Sequence, residues 1–191
     1  MTNASDKRHH EIAKWLGDLV ALESHVEEAM DAQLNIVAAD EFTIAVHHLH
    51  DTVRDSKQRA VAFQEECGSE PGNSIVKAGS NLLGKAVGAI DRMRHDTISK
   101  ALRDDYTACN HLAIAYTMLY TTAMALGDKA ATRFAEEGLR TYAGLVQEIN
   151  HLVPQTVLYD LMWGDHAPVV APDVVAQCRV TIDRIWKATA S

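Results

Sequence analysis

An all-α fold is predicted: a four-helix bundle with an extra crossover helix and a C-terminal helix. Three observations predict it. Apolar residues recur at three- and four-residue spacing over long stretches. No segment sustains the two-residue alternation of a half-buried strand. Only four prolines occur, Pro71, Pro154, Pro168 and Pro172, and the glycines gather at a few joints.

The first core helix is expected over about 6–34, with Ser5 as N-cap and Asp6 in the first turn. Its stripe is Ile12, Trp15, Leu16, Leu19, Leu22, Val26, Met30 and Gln33 or Leu34. The second, over about 40–67, takes Asp40 as N-cap and Gly68 as a left-handed C-terminal cap. Phe42, Ala45, Val46, Leu49, Val53, Ser56, Ala60 and Phe63 form its inward face. A loop around Pro71 leads to a small-residue crossover helix, about 74–92, whose Gly84 and Gly88 permit close packing. The stretch "DRMRHD", 91–96, reads as a solvated break.

The third core helix is expected over about 97–126 and carries Ile98, Leu102, Cys109, Leu112, Ala113, Tyr116, Tyr120 and Ala123 on one face. Gly127 ends it and Asp128 caps the next. The fourth, about 128–153, turns Phe134, Ala135, Gly138, Tyr142, Leu145, Val146 and Ile149 inward and is expected to stop at Pro154. An extension over 154–191 holds a short turn near Leu158 and a terminal helix over about 172–188. The 191 residues fit a single domain, 1–191.

Composition narrows the function classes. Hydrophobic residues make up 47% and charged residues 23%, an ordinary globular balance rather than a disordered one. A net charge of -8 does not favour phosphate backbones, so no nucleic-acid partner is expected. Apolar runs are too short for a membrane span and the N-terminus lacks a signal-like apolar core; no membrane partner and a cytoplasmic location are expected. Cys67, Cys109 and Cys178 show neither a disulfide framework nor zinc-ligand spacing.

Three stretches, "LVALESHVEEAM", "HLHDT" and "LRDDYTACNHLAIAYTMLYTTAMALGDKAATRFAEEGL", resemble the bacterial ferritin-like stress proteins of the YciE/YciF type over roughly residues 10–160. Ile114-Ala115-Tyr116 through Leu126-Gly127-Asp128 carries the most specific part. The resemblance implies a ferritin-like bundle, often dimeric, with a di-iron site supplied by inward glutamates and Glu-x-x-His pairs. Glu23 matches the first-helix glutamate. Where the family carries "HLEET" this chain has His48-Leu49-His50-Asp51-Thr52, with His50 and Asp51 at the glutamate positions. Leu112 stands at the third-helix ligand position, and Thr141 and Tyr142 stand near those of the fourth. Glu136, Glu137 and Glu148 lie off the apolar stripe, and the helix period turns His151 away with them. A standard di-iron centre is therefore not expected.

The residues by themselves leave two readings of Glu23. It sits inside an apolar stripe, where a carboxylate needs a cation, hydrogen bonds or a raised pKa. Hydrogen bonding to Tyr116, Tyr142 or a histidine is the favoured reading. The other is an altered metal site built on Glu23, His50, Asp51 and Tyr142, taking iron or manganese. In "VHHLHDTVRD", His47 and Asp51 point outward while His48 and His50 flank the stripe, with His50 placed to lean toward Glu23. Tyr116, Tyr120, Tyr142 and Cys109 read as core packing, with Asp105 near the same face. The expected function is that of a non-enzymatic, stress-associated homodimer with no cofactor. A metal-binding or oxidoreductase-like protein is the alternative, and an interaction module using Gly84, Gly88, Trp163 and Trp186 is compatible with the first.

Overall fold

A computed structural model describes residues 4–36, 38–67, 97–163 and 167–189. They form five helices: α1 Ala4–Asp31, α2 Asp40–Glu66, α3 Ile98–Leu126, α4 Lys129–Met162 and α5 Val174–Thr189. The described residues are thus all-α. The first four helices make a bundle around one core.

The apolar stripes explain the packing. Ile12, Leu16, Leu19, Val26 and Met30 of α1 are buried against Phe42, Val46, Leu49 and Val53 of α2. Leu102, Leu112, Tyr116 and Leu119 of α3 meet Ala135, Tyr142, Leu145 and Ile149 of α4. Each large apolar side chain so buried contributes about 1.5–3 kcal/mol. At one end of the bundle Phe42 of α2 meets Tyr159 of α4, ring centroids 5.2 Å apart. At the other, Phe63 of α2 stacks on Phe134 of α4 at 4.5 Å.

These contacts fix the directions. The end of α1 meets the start of α3 through Gln33 and Asp105, and the start of α2 meets the end of α4. Helices α2 and α3 therefore run parallel, and residues 68–96 connect opposite ends of the bundle. Four-helix bundles are built either with short loops throughout or, as here, with a long crossover connection. The expected crossover helix over 74–92, with Gly84 and Gly88, lies outside the described residues, as do Gly68 and the 91–96 stretch.

Helix ends differ from expectation in instructive ways. Ser5 already lies inside α1, and α1 stops at Asp31, where bonds from Gln33 N to Met30 O and Ile36 N to Gln33 O form a tight turn. Ala39, not Asp40, is the N-cap of α2; Asp40 and Glu41 occupy its first turn, where carboxylates meet the positive end of the helix dipole. Thr97 precedes α3 but its side chain makes no capping bond. The amide of Ser99 instead donates to Asp160 Oδ2 of α4 at 2.9 Å, a cap supplied across the bundle.

The joint between α3 and α4 is built as expected. Gly127 adopts the left-handed conformation with φ 69°, and Asp128 accepts from the amides of Ala130 and Ala131, each at 3.0 Å. Pro154, by contrast, does not end α4, which continues to Met162. A proline inside a helix costs about 3 kcal/mol or more. The turns beyond it offset that cost by placing Tyr159 on Phe42 and Asp160 on the start of α3. The short helical turn expected near Leu158 is therefore part of α4, and the terminal helix starts at Val174.

Candidate functional site

At one level in the centre of the bundle, each of its four helices supplies a polar residue. Glu23 of α1 is fully buried. Its Oε1 accepts hydrogen bonds from Ser56 Oγ of α2 at 2.7 Å, from the Tyr116 hydroxyl of α3 at 2.9 Å and from the Tyr142 hydroxyl of α4 at 2.9 Å. Ser56 Oγ and the Tyr116 hydroxyl also lie 3.2 Å apart. The second oxygen, Oε2, is buried without a hydrogen-bond partner.

Electrostatics follow from this geometry. Burial pushes the Glu23 carboxyl above its ordinary value, while the hydroxyls of Ser56, Tyr142 and Tyr116 and the charge of Arg59 pull it back. Burial, with Glu23 beside them, pushes both phenols well up, so Tyr116 and Tyr142 stay protonated and act as donors. The two rings stack at 5.5 Å. Their approach depends on Gly138: a Cβ there would fall 1.9 Å from Tyr116 Cε1. The Tyr116 ring thus fills the space beside α4 that a side chain at 138 would occupy.

The histidine-rich stretch of α2 divides. His47, His48 and Asp51 are exposed, and His48 faces Glu148 of α4 at 3.6 Å. His50 is buried, but it does not join Glu23. Its Nε2 hydrogen-bonds Asp31 Oδ1 of α1 at 2.7 Å, and Asp51 pairs with Arg54 at 3.0 Å. The reason is the antiparallel hairpin: residues near the loop on α2 face residues near the loop on α1. His50 lies six residues, about 9 Å, closer to the loop than Ser56. Asp31 lies eight residues, about 12 Å, beyond Glu23. Of the four sequence-derived ligand candidates, Glu23 and Tyr142 meet, while His50 and Asp51 stand at another level. Glu148 and His151 point outward, to His48 and to Asp183 of α5 respectively.

A second buried acid lies near the hairpin loop. Asp105 of α3 accepts from Gln33 Nε2 at 2.7 Å, and burial, reinforced by neighbouring Asp104, pushes its pKa up to about 7. Gln33 Oε1 is buried without a partner, and a protonated Asp105 carries the donor this oxygen lacks. Cys109, one turn further on, is a buried free thiol whose pKa burial raises, Asp105 and Glu148 adding to the effect.

The residues at the centre do not fit a di-iron group. Such a centre needs several carboxylates and two imidazoles facing one point. Here one carboxylate faces three hydroxyls that already donate to it. Among the described residues no group of three or more His, Cys, Asp or Glu is placed to hold a metal ion. Also among them, no helix is long and apolar enough to cross a membrane.

Ser56 was legible as an inward residue, but its role at Glu23 was missed. The available signal was a lone hydroxyl in an apolar stripe, at the depth of the only inward carboxylate of α1. No curated protein and no solved structure matches the chain. A family model described as a domain of unknown function matches residues 8–161, from the start of α1 nearly to the end of α4, and the chain belongs to that family, DUF892.

Proposed function

We propose that this protein is a non-enzymatic ferritin-like bundle, stress-associated and homodimeric, whose centre is closed by hydrogen bonds in place of a di-iron group. One observation carries the reading: a single Glu23 oxygen gathers a hydroxyl from each of the other three helices. Protonated phenols are poor metal ligands, and the Tyr116 ring occupies the space beside Gly138. Such a centre ties four helices together. The stress association and the homodimer rest on the resemblance to the YciE/YciF proteins.

Glu23 Oε2 favours a second reading, a single cation held at an altered site, because it is a buried acceptor with no partner. Metal analysis of tag-free protein incubated with iron, manganese or zinc separates the two. Sub-stoichiometric metal, equal in wild type and Glu23→Gln, supports the hydrogen-bonded centre. About one metal per chain, lost in Glu23→Gln, overturns it. Light scattering at micromolar concentration tests the homodimer, which a clean monomer contradicts.

A further inference from the structure

Outside the bundle's centre, the chain builds a cavity to which the function above assigns nothing. Helix α5 lies across the outer face of α4. Asp183 pairs with His151 at 2.9 Å, and Arg179 donates to the His151 carbonyl at 3.1 Å and to Gln155 Oε1 at 2.8 Å. Between this strap and the α3–α4 pair lies a cavity of about 580 Å³. That is within the roughly 300–1,000 Å³ of small-molecule sites.

Its lining has a definite chemistry. The floor is apolar, Ala113 of α3 with Ala143 and Val146 of α4. Carboxamides of Asn110, Gln147 and Asn150 stand around it, able to donate and accept. From α5 come the half-exposed indole of Trp186 and the ammonium group of Lys187. The cavity's carboxylate, Asp183, is already matched by His151, whereas no ion pair of Lys187 occurs among the described residues. Lys187 is therefore the cavity's ammonium group open to an anion.

We propose that this cavity binds a small aromatic carboxylate, its ring between Trp186 and the Ala113/Ala143 floor and its anionic group at Lys187. An indole and small apolar residues lining one cavity suit a planar ring. One lysine with amide donors matches a single negative charge, and the lining holds no second lysine and no arginine to match a dianionic phosphate. The site is independent of Glu23, so it stands whichever reading of the bundle's centre holds.

The test uses full-length protein titrated calorimetrically with naphthalene-2-carboxylate and with the uncharged naphthalene-2-carboxamide. Saturable 1:1 binding of the carboxylate is expected. Lys187→Gln should weaken the carboxylate about tenfold, the loss of one charge-assisted contact, and leave the carboxamide unchanged. Ala143→Leu, at an exposed floor position where the fold tolerates a larger side chain, should abolish binding of both. No saturable binding up to millimolar carboxylate overturns the proposal. So does binding that Ala143→Leu leaves intact, or a Lys187→Gln loss equal for the two probes.

Discussion

Gly138→Ala is the perturbation that most sharply reads the packing around Glu23. In an ordinary helix interior this change stabilises, by about 1 kcal/mol, because alanine has less backbone freedom to lose. Here the new methyl would sit 1.9 Å from Tyr116 Cε1 and 2.3 Å from Cδ1 and Cζ. The ring has little room to retreat: Tyr116 is 1% exposed and packs against Phe134 at 5.8 Å and Tyr142 at 5.5 Å. Overpacking of this kind costs about 1–3 kcal/mol. Displacing the ring also breaks its hydroxyl's bond to the Glu23 carboxyl, a further loss of about 1–3 kcal/mol for a buried group left unpaired. Set against the propensity gain, the net destabilisation is about 1–5 kcal/mol. For a chain of this size that lowers Tm by roughly 2–20 °C.

The assay is urea or thermal unfolding of wild type, Gly138→Ala, Tyr116→Leu and the double variant. Coupling between the two sites is expected, so that Gly138→Ala costs less once the ring is gone. A Gly138→Ala protein as stable as wild type or more so while Tyr116 is present, or a cost that Tyr116→Leu leaves undiminished, would refute the reasoning.

Three further outcomes follow from the same geometry. Glu23→Gln keeps an oxygen for the three hydroxyls, so unfolding should place it within about 1 kcal/mol of wild type; Glu23→Ala strands those donors and should lose about 3 kcal/mol or more. Asp105 holds its proton more tightly folded than unfolded, so its contribution to stability is full below about pH 4 and is lost as pH rises through about 7. Asp105→Asn removes that loss, and its advantage over wild type in urea midpoints should grow across this window to about 4 kcal/mol; parallel pH profiles would contradict the assignment. Asp128→Ala frees the amides of Ala130 and Ala131 at the start of α4 and should cost about 1 kcal/mol in the same assay.

What the sequence made legible was whatever depends on local period and local caps. Leu16, Leu49, Leu112 and Ile149 are buried because a 3.6-residue repeat places them together, and the repeat is visible in one dimension. The same period put Glu23 inside, and Gly127 and Asp128 mark their turn by backbone and side-chain chemistry alone. What remained hidden depends on which levels of different helices coincide. His50 lies on a flank from which either Glu23 or Asp31 is in reach; the hairpin's register decides for Asp31. Asp160 caps α3 from a different helix, and Pro154 is tolerated because tertiary contacts beyond it outweigh a local rule. The three hydroxyls at Glu23 are individually ordinary core residues, and only their convergence on one oxygen gives the site its chemistry.

Thermal unfolding of wild type and Glu23→Gln, each with and without excess iron(II) under anaerobic conditions, tests the hydrogen-bonded centre most directly. A ligand present at a hundred times its Kd stabilises the folded state by about 2.7 kcal/mol, roughly 5–11 °C in Tm for a chain of this size. A centre held by Ser56, Tyr116 and Tyr142 at Glu23 Oε1 predicts the same Tm for wild type with and without iron, and no difference in response between the two proteins. A rise of several degrees in wild type that disappears in Glu23→Gln would show a cation held by that carboxylate and contradict it.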